Sequence, residues 1–400
     1  MKMAHNHVGY TTDTPPPAAS ESLAMSPSPE LRVATFNAGL AVGAVKFASE
    51  RVEPLAQELP KIDADLVCLQ EVWLEEHWAR IAEKSTNSLP NTVRLNAPAA
   101  AARASAAPGA KAVCSAREVA PLTQCAKRKC GGLSSDELAA CVIWQCRAAA
   151  DRLSPPCAGC LATDPTGTLD SIVQPCVGAS PETKDTSVAR AGLVAYGGSH
   201  GLGILTREPV LAADVRQLGT DLNARAALYA RLKTRAVGEV DVFCTHLTPD
   251  MGNVVPSGGR SWRDVHAQEV EALKLWIDAK SDGSRPILLM GDFNAGPSLG
   301  ASIASRFPDH YEKLVSDGFV NAYTLQRNAS CTFCEANPLN RGTGDGGSLI
   351  DHILTKRFEG VVSVEPILRD PIELRVGTGR VRGAYSDHYG LKAILRRTRG

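Results

Sequence analysis

No run of 18 or more apolar residues occurs in this 400-residue chain, so no transmembrane helix is expected. Excess charge of either sign is missing too. Lys plus Arg and Asp plus Glu both total 43. A chain that holds nucleic acid by bulk electrostatics usually shows a basic excess, so only a local basic patch could serve that purpose here. The first 30 residues lack the apolar core of a secretory signal and are rich in Pro, Ser, Thr and Ala. They read as a disordered tail, with His5 and His7 solvated in it rather than acting as metal ligands.

What is abundant is apolar residues and cysteine. Hydrophobic residues make up 44% of the chain, enough for a large core. Eight of the twelve cysteines lie between Cys114 and Cys176, a density unusual in a cytosolic enzyme. The cysteines point to an oxidising compartment, while the first residues carry no export signal. The cysteines are given more weight, and a secreted or periplasmic protein is expected.

Residues 31–37, "LRVATFN", read as a strand, and 47–59 carry Val52, Leu55, Ala56 and Leu59 at helical spacing until Pro60 ends the pattern. "DADLVCLQEVW" is a second strand. From about 97 to 190 the composition changes to Ala, Pro, Ser and Cys, which marks an insertion. Strand-like runs return as "GLVAY", "GLGILTR", "AALYARLKT" and "EVDVFCTHL". Ser261 is placed to cap a helix with Val265, Val270, Leu273 and Ile277 near one face. "RPILLMGDFN", "SLIDHILTK", "GVVSVEPIL" and "SDHYGLKAIL" follow. Many strands with few helices between them predict a mostly antiparallel α+β sandwich.

Apolar strands repeatedly end in polar, ionisable residues. Asn37, Glu71, His246, and Asp292 with Asn294 close four of them. Asp351 opens another, and Asp387 with His388 precedes the last. Each alone is commonly a turn or core residue. As a set they imply a neutralising partner, because gathered carboxylates are costly to bury. Oxygen-rich Asp, Glu and Asn donors suit a hard divalent ion, Mg²⁺ first, with Mn²⁺ or Ca²⁺ as alternatives. The two histidines suit acid–base work or phosphate-charge stabilisation. Asp292 and Asn294, two apart, should face the same way if the chain stays extended.

"TFNAG", "LQEVW", "THL", "GDFNAGP", "LIDHIL" and "YSDHYGL", in this order, resemble the endonuclease/exonuclease/phosphatase superfamily, over about 31–95 and 190–397. That group includes deoxyribonuclease I, abasic-site endonucleases, neutral sphingomyelinases and inositol polyphosphate phosphatases. The resemblance implies a four-layer α/β sandwich of two mostly antiparallel sheets flanked by helices, occupying 31–400 and interrupted at about 97–190. It implies that Asn37 and Glu71 hold the metal, with Asp387 close to it. Asp292 would activate water, Asn294 bind a phosphoryl oxygen, His246 stabilise the charged phosphate, and Asp351 pair with His388. Arg225 resembles a phosphate contact of some members. His352 stands where the family often has Tyr and should point away from the site.

The implied activity is Mg²⁺-dependent phosphodiester hydrolysis by a monomer, on a phospholipid headgroup or on nucleic acid. A non-catalytic binding module and a phosphomonoesterase are the alternatives. The loop "TFCEANPLNRGTGDGGSLID" resembles that of sphingomyelinase-like members. Within the insertion a disulfide-stapled lid is favoured over a zinc site at Cys157-x-x-Cys160, with the pairing left open by the spacing. Cys141, Trp144 and Cys146 are placed in a short helix. Cys331-x-x-Cys334 could close locally or remain free. Cys68 and Cys244 read as core thiols, so the sandwich is expected not to depend on disulfides.

Overall fold

Apolar side chains alternate along the strands, and that alternation builds the layers. The computed structural model describes residues 30–95, 112–133, 135–162, 164–177, 195–252, 256, 259–342 and 346–396. The N-terminal tail, with His5 and His7, lies outside them. The chain begins with β1 (Leu31–Asn37), α1 (Ala48–Glu58), β2 (Leu66–Gln70), α2 (Glu75–Ser85) and β3 (Asn91–Val93). A helical segment follows: α3 (Ala116–Lys129), α4 (Ser135–Gln145), α5 (Arg147–Ala150), α6 (Pro155–Leu161) and α7 (Leu169–Val177). Then come β4 (Gly203–Thr206), β5 (Val210–Gly219), β6 (Arg225–Thr234), β7 (Gly238–His246), α8 (Trp262–Lys280), β8 (Ile287–Asp292) and α9 (Pro308–Val315). The chain closes with β9 (Phe333–Cys334), β10 (Gly347–Ser348), β11 (Asp351–Lys356), β12 (Gly360–Ile367), β13 (Ile372–Val376), β14 (Gly379–Gly383) and β15 (Gly390–Arg396).

One sheet has the order β12-β15-β1-β2-β4-β3 and the other β11-β8-β7-β6-β5. Each is antiparallel except for one inner pair, β1 with β2 and β7 with β8. Leu31 and Val33 of β1, Leu66 of β2, Val242 of β7 and Leu288 and Met290 of β8 share one core between the sheets. The opposite faces differ: Ala34, Phe36, Val67 and Leu69 pack with Val52, Leu55 and Ile81 of α1 and α2. Phe243 and Leu289 pack with Val270, Leu273 and Ile277 of α8. The result is the mostly antiparallel α+β sandwich that the strand pattern predicts, in the four layers that the family resemblance implies. Ser261 caps α8 in a reciprocal box with Asp264, as its position predicts.

Three expectations need correction. The described part of "GLVAY", Ala195 and Tyr196, lies in a short 3₁₀ turn, Ala195–Gly198, rather than a strand, and 192–194 fall outside the described residues. β5 escapes the periodicity because it is an edge strand paired only with β6, and most of its side chains are at least partly exposed. Cys68 and Cys244 are not free thiols. Each lies in the inward row of its strand, so they meet across the two sheets as a disulfide, with Cα atoms 5.6 Å apart. A second sandwich bridge, Cys331–Cys334, closes locally. The sandwich therefore carries covalent links of its own.

The helical segment holds Cys114–Cys157, Cys125–Cys146, Cys130–Cys141 and Cys160–Cys176. This uses both cysteines of the 157–160 pair and removes the zinc alternative. The bridges surround a small core of Val119, Leu122, Leu138 and Leu161. No cysteine remains free. Cys141 sits in α4, with Cys146 just after it.

Candidate active site

Strand pairing brings the polar tips together. Parallel β1 and β2 place Asn37 beside Gln70, next to Glu71. Parallel β7 and β8 place His246 beside Asp292, and antiparallel β11 starts with Asp351 opposite Asp292. Asn37, His246, Asp292 and Asp351 lie in phase with the inward rows that hold Val33, Val242, Met290 and Ile353. They therefore converge where the inter-sheet core gives way to polar side chains. Asp387 and His388 arrive at the same end, ahead of β15.

The contacts are close. Asn37 Nδ2 donates to Asp292 Oδ2 at 2.8 Å and to Glu71 Oε1 at 3.2 Å. Its Oδ1 accepts from Gly39 N at 2.9 Å. Glu71 turns out of the strand with φ 56°, an uncommon backbone state for a residue with a side chain. His246 Nε2 lies 3.5 Å from Asp292 Oδ2 and 3.9 Å from Glu71 Oε1. His388 Nδ1 meets Asp351 Oδ2 at 2.8 Å, and its Nε2 lies 3.9 Å from Asp292 Oδ2. Thr332 Oγ1 accepts from both Ile350 N and Asp351 N at 3.1 Å, fixing the start of β11.

Asn294 departs from the expected extended geometry. Its φ is 46°, β8 has already ended, and its Nδ2 donates to Leu247 O at 2.9 Å. Asp292 Oδ1 accepts from Asn294 N at 2.8 Å, a local turn bond that competes with extension. Asn294 and Asp292 still line the same cavity, of about 730 Å³, together with Glu71, Arg225, His246 and His388. His352 points away, as expected. Its Nε2 bonds Ala295 O at 2.8 Å and its Nδ1 meets Asn321 Nδ2 at 2.9 Å.

Burial and mutual repulsion set the protonation states. Burial, then Asp351, pushes Asp292 up to about 7. Burial and then Asp387 raise Glu71. Burial opposes the charge on His388, but Asp351, Asp292 and Asp387 outweigh it and the imidazole titrates well above its usual range. His246 moves the other way: burial, with Arg225 and His388 nearby, holds it well below the usual range. His388 is thus the charged imidazole and His246 the neutral one.

Glu71, His246 and Asp292 offer ligand atoms within 4.8 Å of one another, as do Asp292, Asp351 and His388. Asp387 belongs to neither group. Its Oδ1 accepts from Ser386 Oγ at 3.0 Å and lies 2.2 Å from where a Cβ on Gly39 would be, so Gly39 leaves room for it. Arg225 opens β6 and is buried, its Nε and Nη1 without hydrogen-bond partners. Its guanidinium stands 5.8 Å from the Trp73 ring.

Sequence reasoning passed over Arg51. Its buried guanidinium donates to the carbonyls of Ala38, Gly39 and Tyr385 and so ties the loop after β1 to the one before His388. The signal was a basic residue four positions before Leu55, within the buried stripe of α1. Asn337 and Asn340 were also passed over. Their Nδ2 atoms donate to Ser386 O and Asp387 O.

The sequence profile of the Endonuclease/Exonuclease/phosphatase family matches residues 34–388. No match is found among curated proteins. Solved structures share the fold at low identity. SmcL aligns with a TM-score of 0.53 at 11% identity, covering 92% of this chain and 99% of its own. Sphingomyelinase C from Streptomyces griseocarneus gives 0.52 at 14%, covering 92% and 100%. The beta toxin from Staphylococcus aureus, solved with bound magnesium ions, gives 0.51 at 12%, again covering 92% and 100%.

Proposed function

Because the chain belongs to the endonuclease/exonuclease/phosphatase family, we propose that it hydrolyses a phosphodiester by attack of water on phosphorus. The observation that carries this reading is the convergence of Glu71, His246, Asp292 and His388 on one cavity, with Asp351 behind His388. The chemistry of the donors fits a hard cation. Glu71 and Asp387 repel each other, and partly buried Glu71 and buried Asp292 are both held above the usual carboxylate range. A divalent cation, Mg²⁺ in this reading, would be held by Glu71 with Asn37 and Asp387 beside it and would supply positive charge to a phosphoryl oxygen.

Asp292, poised near neutrality, accepts the proton of the attacking water. His388 presents a charged Nε2–H toward the negative charge that builds on the phosphoryl oxygens, while its Nδ1–H donates to Asp351, which holds the ring's orientation and its charge. Neutral His246 donates a second hydrogen bond there. Asn294 and Arg225 bind the remaining phosphate oxygens. The P–O bond to the leaving alkoxide breaks as the O–P bond from water forms; the alkoxide takes a proton from solvent, giving a phosphomonoester and an alcohol, and Asp292 returns its proton to solvent.

One of the similar structures, by name a sphingomyelinase C, fits a phospholipid headgroup as substrate. The neutral overall charge gives no support to nucleic acid. The six disulfides are compatible with an extracellular location. The test incubates the protein with sphingomyelin, with plasmid DNA and with methyl 4-nitrophenyl phosphate, each with Mg²⁺ or EDTA. Mg²⁺-dependent release of nitrophenolate and cleavage of the lipid are expected. A folded protein inert on all three would sink the reading.

A further inference from the structure

The active-site cavity does not end at its polar residues. It continues beneath the disulfide-bonded helices, where Leu122, Val142, Leu153, Leu161, Ile172 and Val173 form its wall. Among the residues that α3–α7 and their linkers contribute to this wall, Asp164 is the one that carries charge. The far end is thus apolar, whereas Arg225, His246, Asp292 and His388 line the near end.

The helices are seated on the loop after β1. A Cβ on Gly43 would lie 2.6 Å from Pro165 O and 2.8 Å from the Ala139 Cβ. Tyr196 Oη donates to Val42 O at 3.0 Å on the same loop. Four disulfides fix the helices to one another, so the apolar wall is held open without a large core of its own. A walled cavity with a charged end and a hydrocarbon-like end is complementary to an amphiphile.

We infer that the helical insertion forms a tail-binding subsite, in which the hydrocarbon chain of an amphiphilic phosphodiester lies beneath α3–α7 while its phosphate occupies the polar end. The placement of the phosphate rests on the phosphodiesterase reading above. The chain's burial rests on the cavity alone. The insertion then acts in substrate selection, drawing a single chain out of water or out of a lipid surface into the protein.

The test measures binding of hexyl-, octyl- and decylphosphocholine by calorimetry, each below its micellar concentration and with EDTA present to prevent turnover. Each added methylene should tighten Kd roughly fourfold, the transfer value for a buried CH₂, until the cavity is filled. The heat capacity of binding should grow more negative with chain length. Val173→Asp places a charge in the apolar wall, and Ala150→Trp fills space there. Both should abolish the chain-length dependence while hydrolysis of methyl 4-nitrophenyl phosphate continues. A decyl chain tipped with a diazirine should label peptides of α3–α7, which checks the placement even if a variant fails to fold.

A Kd independent of chain length would overturn the inference. So would an unchanged slope in both folded variants, or labelling confined to the sandwich. Failure to hydrolyse the methyl ester, sphingomyelin and DNA alike, with the chain-length slope intact, would refute the phosphodiesterase reading alone.

Discussion

Lowering the pH should unfold this protein partly through His352, and the size of the effect follows from its two neighbours. Asn321 Nδ2 can only donate, so His352 Nδ1 must accept and Nε2–H must donate to Ala295 O. Protonation would bury a charge and turn Nδ1–H against a donor. Burial accordingly lowers this imidazole to about 4, from an ordinary 6.5. The sign is that of a base held neutral: the unfolded chain takes the proton first. The stability is complete above the unfolded pKa and is lost as pH falls from 6.5 toward 4.

At pH 5.0 the unfolded histidine is nearly all protonated and the folded one is not, which costs about 2 kcal/mol relative to pH 7.5. Asp292 works in the opposite direction over the same window, because its raised pKa makes protonation stabilising. The difference between wild type and His352→Gln isolates the histidine. Gln offers one donor and one acceptor and does not titrate. Urea melts at the two pH values, with EDTA, should show wild type losing about 2 kcal/mol more than the variant, roughly 0.7 M in midpoint for an m-value near 3 kcal/mol/M. Equal losses in the two proteins would refute the tautomer and the cause assigned to it.

Glu71→Gln should weaken Mg²⁺ binding and turnover together, with partial rescue at high Mg²⁺; a wild-type rate at low Mg²⁺ would contradict its role. Asp292→Ala and His388→Ala should each reduce kcat on the order of 10²–10⁴-fold with the fold intact by circular dichroism, and an unchanged kcat would remove that residue from the chemistry. Replacing both Cys68 and Cys244 by Ala removes a link across 176 residues and, on the chain-entropy account, should cost up to about 5 kcal/mol in a denaturant melt. Under limited reduction, alkylation followed by mass spectrometry should find half-buried Cys125 and Cys141 modified before Cys68 and Cys244, which are fully buried. The reverse order would place the inter-sheet bridge elsewhere.

The amino-acid order by itself carried the layers and the location of the site. Period-two alternation in β1, β7 and β8 tells which side chains share a face, because it is a property of the extended backbone wherever the strand is placed. Asn37, His246 and Asp292 stand in phase with the apolar rows, so a polar tip on an inward face could be read before any partner was known. The cap at Ser261 was readable for the same local reason. Tertiary structure decided what depends on two distant segments meeting. Cys68 and Cys244 look like ordinary core residues until β2 and β7 face each other across the sandwich. Arg51 reads only as a basic residue set in the apolar stripe of α1 until the loops it braces fold over it. Asn294 leaves the extended state because Asp292 and Leu247 offer its amide groups other partners. The apolar cavity arises only where the insertion and the sandwich enclose space between them, and no periodicity within either segment encodes that space.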